Sequence, residues 1–421
     1  MTLELIAPSA EARSDRVWER PERYWPGLTA ATADLDPPYG AVSLPALSHN
    51  AHEMLRRAGG TTIRVASKSV RVRGIVDAVL ALPGYSGVLA YTLPEALWLA
   101  GGDAGHAAIE DVVVGYPTVD RAAIRRLATD PALASRITLM VDEVEQLDLI
   151  DSVLPPSRRE TIRVALELDA SWSTRLLGHI GAWRSPIATA SAARDFAALI
   201  DARPGFALVG MMAYESQIAG LVDRPAGRPL YGAMVRWIQK RSTAELSDRR
   251  GSVVAAVREV AELEFVNGGG TGSLERTGAE EAVTEIAAGS GLFGPHLFDH
   301  YGHFRPAPAA AFALSVVRKP RPGMATLLGG GWIASGPAAA DRLPLVAWPQ
   351  GTEMVAREMA GEVQTPLTGP GAAGLEVGDR VWLRHTKAGE LSEHLDSFAV
   401  VDGDRVVATE PTYRGEGKVF L

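Results

Sequence analysis

The sequence contains no cysteine among its 421 residues. Disulfides, thiolate nucleophiles and cysteine-based metal sites are therefore excluded, and a reducing cytoplasm is the expected setting. No apolar run is long enough to predict a membrane-spanning helix. The stretch from Met1 to Arg20 carries charges early and has no long apolar core, so it does not fit a secretory signal peptide.

Basic charge is also in short supply. Lys and Arg number 42 against 50 Asp and Glu, which gives a formal net charge of −8. Such a balance disfavours binding to nucleic acid and gives no sign of attraction to a membrane. Hydrophobic residues make up 47% of the chain and charged residues 22%, which is typical of a globular enzyme with a large core.

Short apolar strands alternate with helical segments over the first two thirds of the chain. This alternation predicts a parallel sheet with helical crossovers, and about eight such units favour an α/β fold, the (β/α)₈ TIM barrel. An open doubly wound sheet is less favoured because no G-x-G-x-x-G follows the first strand. Strands are predicted at 62–67, 87–91, 112–115, 137–141, 162–168, 206–213 and 264–267. A strand at 41–47 could close either the barrel or the C-terminal part of the chain, and we expect it to lead into the barrel. Helices are predicted at 48–59, 70–82, 93–101, 119–129, 143–153, 190–202, 229–263 and 280–287.

The pattern changes near residue 304, where prolines interrupt the helical segments. The strands predicted beyond it have no long crossovers, which indicates a C-terminal antiparallel β-domain. These strands are placed at 311–318, 324–329, 380–385, 397–401 and 405–407. We therefore predict an N-terminal arm over 1–36 with a helix around 10–23, a barrel over 37–303 and a β-domain over 304–421.

A single lysine ends the first strand of the predicted barrel. Lys68 follows the apolar run 63–66 and stands between Ser67 and Ser69. Lysine is the side chain that offers an amine for Schiff-base formation, and partial burial makes that amine more reactive. The alternative is an ordinary solvated lysine, as most lysines are.

A glycine-rich turn follows a late strand. Backbone N–H groups of Gly268, Gly269 and Gly270 can converge on an anion, and Thr271 or Ser273 can add a hydroxyl donor. Barrels of this class bind phosphate at the carboxyl ends of late strands, although two glycine turns without a ligand are the simpler alternative. The dipeptide 289–290 (Gly-Ser) offers a second set of donors, and no P-loop lysine follows. A lysine on an early strand with a phosphate cradle on late strands suggests pyridoxal phosphate.

These stretches resemble the fold-type III pyridoxal-phosphate enzymes, in which an alanine racemase-like barrel is joined to a C-terminal β-domain. Within that family the chain is similar to the branch of D-threonine aldolase and D-serine dehydratase, and to an actinobacterial amino acid deaminase/aldolase group. The similarity covers about residues 37–415. It rests on the Schiff-base strand 63–68, the strand 209–215 that ends near Tyr214, the glycine turn 267–272, Gly289-Ser290 and the Gly378-Asp379 turn.

The resemblance implies a set of residues around the cofactor. Lys68 would hold pyridoxal phosphate, with binding contributed by Tyr214, Asn267, Gly269, Gly270, Thr271, Gly289 and Ser290. The branch places an arginine opposite the pyridine nitrogen. In this chain Arg175 keeps the residue type and His179 keeps the spacing, so both remain candidates.

The resemblance does not decide which group of this chain would polarise the hydroxyl of the substrate. The branch binds a divalent metal after the Gly-Asp turn, but here that motif falls on Lys387-Ala388-Gly389, while His394-Leu395-Asp396 comes later. Either a divalent metal or a fixed charge from Lys387 beside His385 would act as the catalytic aid.

The resemblance implies a lyase that acts on a β-hydroxy D-amino acid. Retro-aldol cleavage to glycine and an aldehyde, as in D-threonine aldolase, is preferred. D-serine dehydration is the first alternative, and racemisation with Tyr413 as a second base is another. A small amino-acid substrate and a homodimer are implied, and a non-enzymatic role is disfavoured by the complete β-domain.

Overall fold

A computed structural model describes residues 3–7 and 16–421, and the chain forms two compact units. The barrel unit comprises residues 54–67, 80–289 and 420–421, and the sheet unit comprises residues 1–53, 68–79 and 290–419. The predicted helix around 10–23 lies partly outside the described residues. Its described part contains a 3₁₀ turn at Val17–Glu19 and the start of the helix Pro21–Ala31. The domain boundaries at 36/37 and 303/304 stay a prediction.

The strands are numbered along the chain. They are β1 (Tyr39–Ser43), β2 (Thr62–Ala66), β3 (Tyr85–Ala90), β4 (Val112–Val114), β5 (Ile137–Val141), β6 (Ile162–Glu167), β7 (Trp172–Thr174), β8 (Gly178–Ile180), β9 (Phe206–Ala213), β10 (Phe265–Gly268), β11 (Glu285–Ala288), β12 (Ala310–Arg318), β13 (Ala325–Leu328), β14 (Leu345–Trp348), β15 (Glu353–Met354), β16 (Gln364–Thr368), β17 (Arg380–Arg384), β18 (Ser397–Asp402) and β19 (Arg405–Pro411).

The helices include most of those predicted from the sequence. They span Pro21–Ala31, Leu44–Ala58, Arg73–Leu80, Leu93–Gly101, Arg121–Thr129, Pro131–Arg136, Val144–Val153, Ala190–Asp201, Ser216–Ala219, Pro229–Arg258, Leu274–Gly278, Ser290–Phe293 and Pro370–Ala373. Several start on a side-chain cap, because the first N–H groups of a helix need acceptors. Asp120 and Asp130 each accept two such bonds. In the described part of the chain, none of the helices has the length and apolarity to cross a membrane.

The predicted (β/α)₈ barrel is confirmed in the barrel unit. Eight parallel strands of the described chain close in the order β10-β11-β2-β3-β4-β5-β6-β9. These strands are almost continuously apolar because one face fills the barrel interior and the other is covered by helices. In β5, for example, all five residues are buried. The loops after the carboxyl ends of these strands are where such barrels bind ligands.

The eighth strand of the barrel corrects the sequence prediction. Residues 280–287 were predicted as a helix, whereas 285–288 form β11. Glutamate and alanine favour helices in isolation. Here, however, Glu285 pairs with Asn267 of β10 on one side and with Thr62 of β2 on the other. Closing the barrel outweighs the local helix preference.

The predicted antiparallel β-domain is confirmed in the sheet unit. Its strands run in the order β15-β16-β13-β12-β1-β18-β19, and β17 joins β14 to β12. The strand predicted at 41–47 was expected to lead into the barrel, and this was wrong. It is β1, which pairs with β12 and β18. Tyr24 and Trp25 pack against Trp382 of the sheet, so the N-terminal helix completes the core of this unit.

Candidate active site

Lys68 comes directly after Ser67 at the carboxyl end of β2, in a 3₁₀ turn. Its side chain is half-buried. The carbonyl of Lys68 accepts a hydrogen bond from Arg71 Nε at 3.0 Å, and Arg71 pairs with Glu393 at 2.6 Å. Gly389 packs so tightly against the same carbonyl that a side chain would collide with it. The sheet unit therefore fixes the backbone that carries this amine.

The glycine turn, residues 269–273, follows the carboxyl end of β10. Gly269 has φ +76°, and a Cβ atom there would lie 2.6 Å from Ile286, so only glycine fits. A Cβ atom on Gly270 would lie 3.1 Å from the Cβ of Ala219 and 3.6 Å from the ring of Tyr214. Within the described residues, the N–H groups of Gly270 and Gly272 donate no hydrogen bond. This turn can accept an anion, as a phosphate cradle requires.

The carbonyl of Thr271 accepts a hydrogen bond from a buried arginine. Arg57 Nη2 donates to it at 2.8 Å, and the same guanidinium pairs with Glu275 at 2.6 Å. Thr271 itself is buried. The predicted cofactor residues Gly269, Gly270 and Thr271 thus share one rigid turn, and their arrangement fits the phosphate of the predicted cofactor.

The second predicted pair of donors stands at the start of a short helix. Gly289 is buried and follows β11, while Ser290 is half-buried. The hydroxyl of Ser290 lies 3.1 Å from the hydroxyl of Ser69, the residue after Lys68. The structure therefore brings Ser290 next to the turn that carries Lys68, although the two residues are far apart in the sequence.

Asn267 has a different environment from the one that the resemblance implies. Its amide donates to Glu285 Oε1 at 2.8 Å. Glu285 is the first residue of β11 and also accepts two bonds from Arg64, which reaches Asp111 just before β4. Glu285 and Asp111 lie at the amino ends of β11 and β4, whereas Asn267 is the third of the four residues of β10. The amide of Asn267 is thus engaged by Glu285, and its predicted contact with the cofactor stays a prediction.

The two candidates for the pyridine nitrogen both lie in the β7–β8 hairpin. Arg175 is exposed in its turn, where a buried cofactor ring has no access to it. His179 is half-buried and stacks on Trp183, with ring centroids 3.6 Å apart. Its Nε2 atom has no hydrogen-bond partner among the described residues. The exposed position of Arg175 does not support a role beside the pyridine nitrogen. For His179 that role stays a prediction.

Arg184 was not predicted from the sequence as a site residue. Its guanidinium forms an ion pair with Glu167, the last residue of β6, and donates to the carbonyl of Gly115 at 3.0 Å. The charge lies 4.9 Å from the centre of the Tyr116 ring and 5.8 Å from that of Tyr214. Arg184 thus connects residues at the carboxyl ends of β4, β6 and β9.

Burial dominates the protonation of this cluster. It raises the pKa of Glu167 despite the opposing charge of Arg184. Burial also raises the pKa of Tyr214 to about 12, with the Glu215 carboxylate adding to the effect. The Tyr214 phenol therefore stays protonated at neutral pH and can donate a hydrogen bond to a ligand.

His385 lies just after β17 in the sheet unit and is buried. Neither of its ring nitrogens has a hydrogen-bond partner among the described residues. It lines a cavity of about 10 Å³ together with Lys387 and Glu390, about the space of one water molecule. Burial, assisted by the charge of Arg384, lowers the pKa of His385 to about 3. The ring is therefore neutral at neutral pH.

The predicted metal motif does not come together as a ligand set. Its His394 stacks on Trp332, with ring centroids 4.6 Å apart, and Asp396 is largely exposed. Within residues 3–7 and 16–421, no three His, Asp or Glu side chains are grouped to hold a metal ion. Lys387 is half-buried, and its amine lies 3.4 Å from the carbonyl of Ser335.

Comparison with known proteins identifies similar sequences. The family model described as alanine racemase, N-terminal domain, matches residues 42–296, so the predicted family is confirmed. A 3-hydroxy-D-aspartate aldolase of Paracoccus denitrificans (strain Pd 1222) is 26% identical over 284 residues. That alignment covers 64% of this chain and 62% of the aldolase. The chain therefore matches less than two thirds of the length of that relative.

Solved structures share the fold. The crystal structure of D-threonine aldolase from Filomicrobium marinum superposes with a TM-score of 0.74 at 21% identity, covering 92% of this chain and 97% of that one. D-threo-3-hydroxyaspartate dehydratase from Delftia sp. HT23 gives a TM-score of 0.66 at 18% identity, covering 90% and 97%. At these identities the likeness concerns the barrel and the β-domain.

Proposed function

Because the chain belongs to the family of the alanine racemase N-terminal domain, we propose that it is a pyridoxal-phosphate-dependent lyase for β-hydroxy D-amino acids. The observation that carries the proposal is the placement of two features at the carboxyl ends of barrel strands. Lys68 follows β2 and the glycine turn follows β10, and only β11 stands between these strands. The names of the aldolase and dehydratase relatives support the substrate class. A cytoplasmic homodimer remains part of the proposal.

The residues that would hold the cofactor are those at the strand ends. Lys68 supplies the amine that binds the aldehyde, and the glycine turn takes the phosphate, with Ser290 as a further hydroxyl donor. The Tyr214 phenol adjoins the turn, because its ring would lie 3.6 Å from a side chain on Gly270. When bound, pyridoxal phosphate supplies an electron-withdrawing ring that stabilises negative charge at the substrate Cα.

Arg184 is our candidate for the cation beside the cofactor ring, in place of Arg175. Its guanidinium keeps its charge at all working pH values. The ion pair with Glu167 and the bond to Gly115 fix its position. A cation held in this way orients a polar ring atom without adding a mobile charge to the site.

His385 and Lys387 stay the predicted groups for polarising the substrate hydroxyl. The neutral ring of His385 has free nitrogens that can accept the hydroxyl proton in retro-aldol cleavage. However, a pKa of about 3 makes it a weak base until a neighbouring negative charge raises that value. Since the described residues provide no set of three metal ligands, we derive no step through a metal ion.

Dehydration is the second candidate, and the observation that favours it is the structural likeness to the Delftia dehydratase. In that reaction Lys68 would take the Cα proton while the β-hydroxyl leaves. Racemisation has less support. Its second base would be Tyr413, which is only 1% exposed in the chain.

The function can be tested with the purified protein loaded with pyridoxal phosphate. D-threonine, 3-hydroxy-D-aspartate, D-serine and D-alanine are supplied separately, with and without a chelator, and L-threonine serves as the stereochemical control. We expect glycine and an aldehyde from the first two substrates and no turnover of L-threonine. Pyruvate from D-serine as the main product would move the assignment to a dehydratase. Conversion of D-alanine to L-alanine alone would overturn the lyase.

A further inference from the structure

Glu215 is a buried carboxylate beside the glycine turn for which the proposed function gives no role. It directly follows Tyr214 at the end of β9 and is 1% exposed. Its Oε2 atom accepts a hydrogen bond from the N–H of Gly269 at 3.0 Å. Its Oε1 atom lies 2.5 Å from the hydroxyl of Thr277 and 3.5 Å from that of Ser273. One side chain thus contacts both ends of the turn.

These bonds decide which N–H groups of the turn can reach a ligand. Because Glu215 occupies the N–H of Gly269, that group does not contribute to an anion site. The glycine N–H groups without a partner in the described chain are those of Gly270 and Gly272. Gly269 was predicted to bind the cofactor, whereas its N–H is held by Glu215. The structure supports a conformational role for this residue, since it supplies the positive φ at which the chain leaves β10.

A carboxylate next to an anion site requires a compensating charge. Arg250 supplies it, since its guanidinium lies 3.0 Å from Glu215 and donates to the carbonyl of Ala213. The other side of the same guanidinium pairs with Glu280 at 2.6 Å. Glu280 forms no hydrogen bond with residues 269–273 in the described structure.

We infer that Glu215 is a positioning residue that sets the affinity of the glycine turn for a phosphate group. It aligns the turn through the N–H of Gly269 and the hydroxyl of Thr277, while Arg250 neutralises its charge. The inference rests on the proposed function, since the phosphate considered is that of pyridoxal phosphate.

The test compares pyridoxal phosphate with pyridoxal, which lacks only the phosphate. Dissociation constants for both are measured by absorbance titration of the cofactor-free protein and its Glu215→Gln variant. Glutamine keeps the size of the side chain but loses its charge and part of its acceptor capacity. We expect the dissociation constant of pyridoxal phosphate to rise about tenfold or more, since hydrogen bonds to charged groups are strong. That of pyridoxal should change less than about threefold on the same grounds.

Glu280→Gln is the matched control. It removes a carboxylate from the same guanidinium of Arg250 but touches no part of the turn. We expect it to keep the wild-type preference for pyridoxal phosphate over pyridoxal. Thr277→Val removes one contact to Glu215 at nearly constant shape, and we expect a smaller loss of the same preference. This variant also serves if Glu215→Gln does not fold.

The outcomes separate the inference from the proposed function. Wild-type protein that shows no preference for the phosphorylated compound contradicts the proposed cofactor site itself. Wild-type preference that survives in both Glu215→Gln and Thr277→Val contradicts the role of Glu215. Equal weakening of both compounds in these variants indicates general damage to the barrel and also contradicts it.

Discussion

The two ends of the barrel hold the same kind of buried ion cluster. At the amino ends of the strands, Arg64 pairs with Glu285 at 2.6 Å and with Asp111 at 2.7 Å. At the carboxyl ends, Arg250 also binds two carboxylates, at 3.0 and 2.6 Å. Both arginines are nearly inaccessible to solvent. The chemistry of the cluster alone therefore does not reveal which end binds a ligand.

The difference lies in what else each cluster holds. Glu285 also accepts from the side chain of Asn267, so the cluster at the amino ends links neighbouring strands. Glu215 accepts from the backbone N–H of Gly269, so the cluster at the carboxyl ends shapes a turn. A buried carboxylate that holds a side chain contributes to stability. One that holds the backbone of a glycine turn can also determine what that turn binds.

Arg64→Met removes the cation of the cluster at the amino ends and has the largest expected effect on stability. It leaves Glu285 buried without its cation, so we expect the free energy of unfolding to fall by roughly 3–5 kcal/mol. The preference for pyridoxal phosphate over pyridoxal should be unchanged. Denaturant unfolding and cofactor titration measure the two quantities.

Arg250→Met is the counterpart at the carboxyl ends and should alter both quantities. If Arg64→Met reduced the preference for pyridoxal phosphate as strongly as Arg250→Met, the two clusters would not differ in role. The contrast between the ends of the barrel would then have no functional meaning.

Arg184→Met tests which arginine near the carboxyl ends of the strands contributes to turnover. Removing the guanidinium leaves Glu167 without its partner and frees the ring of Tyr214, so we expect turnover to fall by at least about tenfold through loss of alignment. Arg175→Met is the matched control, since Arg175 is exposed in the hairpin turn and its loss should leave turnover within about twofold on the same reasoning. If Arg175→Met lowered turnover more than Arg184→Met, Arg175 would be the better candidate for the cation beside the cofactor ring.

His385 extends the comparison to a buried group without a counter-charge, and its expected effect on stability is smaller than that of Arg64→Met. Its pKa of about 3 in the folded chain is below the ordinary value of about 6.5. Between these values the unfolded chain binds a proton that the folded chain does not, so acidification destabilises the fold. From pH 7 to pH 5 this group should remove up to about 2 kcal/mol of stability.

His385→Asn should make that pH dependence shallower. The measurement is the difference in unfolding free energy between pH 7 and pH 5, taken for the wild type and the variant. His296, whose pKa is also lowered by burial, is present in both proteins. An unchanged difference would show that His385 titrates normally in the folded state.

Much of the fold could be predicted because its signal is local. Strands such as β9 (206–213) are apolar runs bounded by helices, and the glycine turn after β10 is visible as a run of glycines. The errors concern pairing over long distances. β1 joins strands some 270 and 360 residues away, and β11 owes its conformation to its neighbours rather than to its own residues.

The positions of Lys68 and Tyr214 could be predicted, because each residue comes soon after the end of an apolar strand. Arg184 stands 17 residues after Glu167, in a segment without periodic pattern, and only the folded chain brings them together. The bond from Asn267 to Glu285 could not be predicted, because the sequence does not show which way a side chain points within a closed barrel. Glu215 was adjacent to a predicted residue, but its partner Arg250 lies in the last third of a long helix.

The proposed function requires that the amine of Lys68 carries pyridoxal phosphate and that the phosphate lies in the glycine turn. The direct measurement is borohydride reduction of the loaded protein, followed by digestion and mass mapping of the modified peptide, with Lys68→Ala as the control. We expect a single cofactor adduct on Lys68 in the wild-type protein and no adduct in Lys68→Ala. An adduct on another lysine, or a protein that takes up no cofactor at all, would contradict it.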